Sequence, residues 1–178
     1  GMRIIGTLLS LGLLITLGAC GQRAGEDQRF EKLANGFIEQ LLAQNPVWAT
    51  YLGDPRYASL LAATTPQAMA AGRALYAAYL DSLGTINPAR LNQVNAIDYE
   101  ILVDNIRGMQ FRLDSIRSYE WNPLNYNVGG AIYGLLAREF APLEQRLESV
   151  RARMLHIPEF IEQAKANLKN PPRVHTET

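Results

Sequence analysis

The chain has 178 residues, with 17 basic side chains against 17 acidic ones and a formal net charge of +0. That balance argues against nucleic acid as a partner, which would call for a basic surface, and a single cysteine excludes a disulfide. The length suits one domain stabilised by its own core.

The start of the chain reads as an address. Gly1 ahead of Met2 is set aside as a cloning remnant, Arg3 supplies a positive n-region, and Ile4 to Leu17 is almost wholly apolar. That run is shorter than the about 20 residues of a membrane span and suits a signal-peptide core. It ends in Leu17-Gly18-Ala19-Cys20, which resembles the bacterial lipobox, where a cysteine is lipidated and becomes the mature N-terminus. Gly18 departs from the more usual Ala or Ser. The expectation is a leader over 1–19 and lipidation at Cys20, so that the chain meets a membrane through a lipid anchor. An ordinary secretory signal with an incidental cysteine is the plainer alternative. Gly21 in place of aspartate implies, by the same resemblance, sorting to the outer membrane, facing the periplasm of a bacterial cell envelope. Residues 20–26 then read as a short polar tether, and 27–178 as the folded part.

From Asp27 to Gln44, Phe30, Leu33, Ala34, Phe37, Ile38, Leu41 and Leu42 form an apolar stripe at helical spacing. Asp27 is a suitable N-cap, and Pro46 stops the helix. Asn45-Pro46 can open a short second helix through Leu52, with Gly53 and Asp54-Pro55 turning the chain. Thr65-Pro66 opens a third helix that Gly84 ends, and Gln93 to Ser118 reads as the longest helix. In that helix Val94, Ile97 and Ile101 lead into a seam of Leu102, Ile106, Met109, Leu113 and Ile116. Tyr119 to Gly130 loses periodicity and forms a second aromatic corner. Ala131 to Phe140 reads as a short helix. Pro142 restarts a helix with Leu143, Leu147, Val150 and Met154 on its buried side, and Pro158 opens the last. No strand alternation is visible. The expected fold is all-α: an antiparallel helical bundle with proline and aromatic corners.

No catalytic residue can be assigned. His156 and His175 form no helical metal pair, and no Gly-x-Ser-x-Gly elbow occurs. His156 is better explained by a helix C-terminus, and Gly129-Gly130 by helix entry rather than phosphate binding. Arg138, Arg146, Arg151 and Arg153, interleaved with Glu139, Glu144 and Glu148, read as a solvated face. Trp48, Tyr51, Tyr57, Trp121 and Tyr126 are candidates either to line a cleft or to brace the core, and the structural role is favoured.

The run Asn45-Pro46-Val47-Trp48-Ala49-Thr50-Tyr51-Leu52-Gly53-Asp54 resembles the N-terminal region of the bacterial domain-of-unknown-function family 885. Asn95-Ala96-Ile97-Asp98-Tyr99-Glu100-Ile101-Leu102 and Asn170-Pro171-Pro172-Arg173 resemble later stretches of it. The resemblance implies the N-terminal part of a larger helical protein, whose full-length members look like zinc metallopeptidases of the His-Glu-x-x-His class. Zinc is implied for those relatives; in this chain no cofactor and no metal ligand can be assigned. Peptides and the remainder of the family domain are the partners so implied. The alternative is a stand-alone helical lipoprotein that acts as a binding module without enzymatic activity.

Overall fold

The computed structural model describes the backbone of residues 3–177 and the side chains of 24–177. The Cys20 side chain, where lipidation is expected, lies outside the described residues. Among the described residues seven α-helices follow in order: α1 (Arg3–Gln44), α2 (Pro46–Tyr51), α3 (Pro66–Leu83), α4 (Gln93–Phe111), α5 (Gly129–Ala137), α6 (Leu143–Leu155) and α7 (Ile157–Asn167). Among the described residues there is no strand, so the protein is all-α.

The corners share one chemistry. Asp54, Asn87 and Asn122 each precede a proline that opens a 3₁₀ turn. Each side chain accepts the N–H two residues on, at 3.0, 3.1 and 3.1 Å. Gly53 at φ 94 supplies the left-handed step after α2, and Thr65 caps α3 by accepting the Ala68 N–H at 3.2 Å.

The chain folds as two compact units, Gly1–Phe37 with Ala77–Arg107 and Ile38–Tyr76 with Gly108–Thr178. In the first, Phe30 and Phe37 from α1 are buried, one ring 6.0 Å from Tyr99 and the other edge-on to Tyr79 at 5.3 Å. Leu83, Ile86, Leu91, Val103 and Ile106 complete this core. Asp27 is not an N-cap, because α1 continues upstream through the stretch expected to be a tether. Its carboxylate instead accepts the Asn92 N–H at 3.0 Å and the Asn95 amide at 2.9 Å, while Glu26 accepts the Asn87 N–H at 2.7 Å. Two carboxylates on α1 thus satisfy the backbone that leads from α3 into α4.

In the second unit, α2 packs on α5, α5 on α6 and α6 on α7, with α7 resting on the turns Ser118–Glu120 and Pro123–Tyr126. The helix expected to reach Ser118 stops earlier: α4 ends at Phe111 and a π turn spans Arg112–Ile116. The Arg117 N–H closes that turn on the Arg112 carbonyl at 2.9 Å, and Arg117 itself is left-handed at φ 51. The widened turn shifts the register, which is why the expected seam does not run unbroken to Ile116. Asn45 also departs from expectation: its amide donates to the Leu41 carbonyl at 2.8 Å, so it closes α1 rather than capping α2.

Candidate functional site

Both walls of the candidate site follow from helical spacing. In α2, Ala49 and Thr50 point inward and are buried, which leaves Trp48 and Tyr51, three apart, facing out. In α5, Ala131 and Leu135 are the buried pair, and Gly130, Tyr133, Gly134 and Ala137 share the opposite face at i, i+3, i+4 and i+7. Between these faces lies a groove of about 540 Å³. Trp48, Tyr51 and Tyr133 are 45%, 66% and 71% exposed. An added Cβ at Gly130 or Gly134 would meet nothing within 4 Å, so the floor on the α5 side is bare helical backbone.

The exposure of Trp48 and Tyr51 corrects the reading that favoured them as core braces. Their neighbours Ala49 and Thr50 bury the inner face of so short a helix, and no inward position remains for a large ring. Tyr57 sits at the edge of the same corner, with the Arg56 guanidinium 5.4 Å from its ring centre, and does not line the groove. Arg56 also holds Asp54 and Glu39, and its hydrogen bonds keep both carboxyls below their usual range.

One cation borders the groove. The Arg138 guanidinium stands 4.8 Å from the Tyr51 ring centre and donates to the Tyr51 carbonyl at the end of α2. Beneath the groove lies another. Arg153 of α6 is 1% exposed and donates to the Ala131 carbonyl at 2.7 Å, the Thr50 hydroxyl at 3.1 Å and the Tyr57 carbonyl at 3.4 Å. It therefore ties α5, α2 and the following turn together from below. Arg146, one α6 repeat earlier and also buried, donates to the Leu135, Leu136 and Ala141 carbonyls and closes the C-terminus of α5.

These two arginines overturn the solvated-face reading of α6. Arg146 and Arg153 are inside, whereas Leu143, Leu147 and Met154, expected on the buried side, are exposed. The reason is polar satisfaction at the C-terminus of α5, whose last carbonyls lack intrahelical donors and are reached by Arg146, while Arg153, seven residues on along the same face, bridges α5 to the Thr50 hydroxyl and the Tyr57 carbonyl.

The second aromatic corner does not join the groove. Tyr126 is buried, donates to the Tyr119 carbonyl at 2.7 Å and packs 5.8 Å from Phe160; burial pushes its phenol up. Trp121 donates to the Ile116 carbonyl at 3.0 Å and faces His175 at 5.9 Å. A further depression of about 510 Å³, bounded by Met69, Tyr76 and Leu113 among others, has no charged side chain on its walls.

His156 lies at the junction of α6 and α7. Among the described residues no three His, Cys, Asp or Glu side chains gather to hold a metal, and no helix is long and apolar enough to cross a membrane. Sequence reasoning missed Tyr133, Arg138 and Arg153. The four-residue spacing of Gly130 and Gly134 is the available signal for an open helix face, beyond the helix entry that the glycine run suggests.

Comparison with known proteins places these features in context. A family described as "Bacterial protein of unknown function (DUF885)" matches residues 46–178, beginning at the first residue of α2. One similar solved structure is "a putative lipoprotein of unknown function from Shewanella oneidensis", at 30% identity and a TM-score of 0.79. The match covers 83% of this chain and 27% of that one, so the chain spans about a quarter of its relative's length. No curated protein matches.

Proposed function

The chain belongs to the DUF885 family of bacterial proteins of unknown function, and on that premise we propose that it contributes a peptide-binding groove to a lipid-anchored envelope protein with zinc-dependent peptidase activity. The observation that carries this reading is the groove, where three aromatic rings stand exposed over a glycine floor. Exposed aromatics around a concave apolar surface are what an extended peptide's side chains need. The described residues do not fit zinc, since His156 and His175 have no ligand set around them. No hydrolytic step is therefore derived from this chain, and its contribution is binding and scaffold.

The groove is testable through its floor. Gly134→Leu would project a side chain into open space without displacing a packed neighbour. We expect the variant to fold with unchanged stability or a slight gain, because a helix-interior glycine costs about 0.5–1 kcal/mol relative to alanine. We also expect it to lose binding of short aromatic peptides by tenfold or more, followed by Trp48 fluorescence. Equal binding by the parent and Gly134→Leu would sink the groove as the peptide site. A stand-alone binding module is the second reading, favoured by the fact that both groove walls come from this chain. Peptide hydrolysis with stoichiometric zinc, measured on the complete gene product, separates the two.

The anchor is a separate proposal, supported by the lipobox resemblance and by the lipoprotein relative. Cys20→Ala is expected to abolish lipid labelling and to release the mature protein from the membrane fraction. Persistent membrane association would refute it, and sucrose-gradient separation of inner and outer membranes tests the sorting.

A further inference from the structure

We propose that the groove binds the C-terminal end of a peptide, with the free carboxylate paired to Arg138 and the last, apolar side chain lying among Trp48, Tyr51 and Tyr133. This rests on the peptide-cleft reading above and names which end of the ligand the cleft takes.

The argument is one of charge complementarity. Among the described residues Arg138 is the only charged side chain that lines the groove; the rest of the lining is apolar, aromatic or glycine apart from Asn45. Among the described residues Arg138 forms no ion pair, although Glu139 follows it in sequence. Its bond to the Tyr51 carbonyl uses one of five guanidinium N–H donors. The Tyr51 ring beneath it fixes the plane of the fork without neutralising its charge. A planar guanidinium held in this way suits bidentate capture of a carboxylate.

Position points to a chain end. Arg138 directly follows α5, the helix that forms one wall. From Gly130 to Arg138 the helix rises about 12 Å, room for three or four extended residues. An apolar trough of that length, with its one charge at one end, matches a short apolar segment that finishes in a carboxylate.

The test uses three peptides and the Trp121→Phe chain, so that Trp48 is the sole reporter. Acetyl-Ala-Val-Phe with a free carboxylate is compared with its C-terminal amide and with acetyl-Ala-Phe-Glu amide, which carries its charge on a side chain. The free acid is expected to bind at least tenfold more tightly than either amide, with an advantage that shrinks at high salt and disappears in Arg138→Gln. Arg138→Lys should keep part of it, as a cation without the fork. Equal binding of acid and amide overturns the carboxylate inference and leaves the peptide cleft standing. Equal binding of the glutamate amide overturns the choice of the chain terminus. Failure of all three peptides to bind overturns the cleft reading itself.

Discussion

Replacing Arg153 with alanine is expected to lower the free energy of unfolding by about 2–4 kcal/mol, read from the urea midpoint at unchanged slope. Two opposing effects set the sign. The guanidinium is almost fully buried and all three of its acceptors are neutral, so its charge is poorly solvated; burial pushes its pKa down to about 10, well below the ordinary guanidinium range. Against that, alanine removes the donor shared by α2, α5 and the Pro55–Tyr57 turn and opens a cavity where a long side chain lay. A buried polar group left unmatched costs about 1–3 kcal/mol, and the cavity adds to it, so the loss outweighs the relief. Arg153→Met keeps most of the volume and should fall between alanine and the parent. A methionine variant more stable than the parent would show instead that the cost of burying the charge exceeds the worth of its bonds. Below pH 10 the folded and unfolded chains both hold the proton, so the penalty is complete and constant there; it fades only as pH rises above about 10 toward the ordinary guanidinium range. The difference between parent and Arg153→Met should therefore be flat from about pH 6 to 9.

The same arginine shows where sequence reading stopped. Periodicity located all seven helices, since Pro46, Pro66, Gly84 and Pro142 mark ends that backbone chemistry enforces. It also separated one side of α6 from the other, but not which side faces inward. Leu143, Leu147 and Met154 look like a core stripe, and only the acceptors on α5, Thr50 and Tyr57 reveal that Arg146 and Arg153 are wanted inside. Those acceptors come from another part of the chain, and no local pattern announces them. Trp48 and Tyr51 fail for a related reason: in a six-residue helix the small Ala49 and Thr50 can fill the inner face, so ring size alone does not predict burial. The groove was legible in part, as an aromatic corner at Asn45–Tyr57. Its opposite wall became visible only once α5 was placed beside α2.

Leu135 and Leu136 turn that placement into a measurable contrast. They are adjacent, identical in chemistry and on the same helix, yet Leu135 is 0% exposed and Leu136 is 46% exposed. Leu135→Ala is expected to cost about 2–5 kcal/mol, the range for a fully enclosed leucine, through lost burial and the void left behind. For a chain of this size that is a drop in Tm of roughly 5–15 °C. Leu136→Ala should cost less than about 1 kcal/mol, because much of its side chain already meets water. The contrast bears on the groove as well as on stability. With Leu135 inward, Tyr133 and Gly134 must face the groove; rotating α5 by one residue would turn Leu136 toward the core and move the glycine floor off the face opposite Trp48. Similar losses at the two leucines, or the larger loss at Leu136, would mean that α5 sits in another register and that the groove is built from different residues. A loss confined to Leu135 fixes the wall on which Trp48, Arg138 and the glycine floor depend.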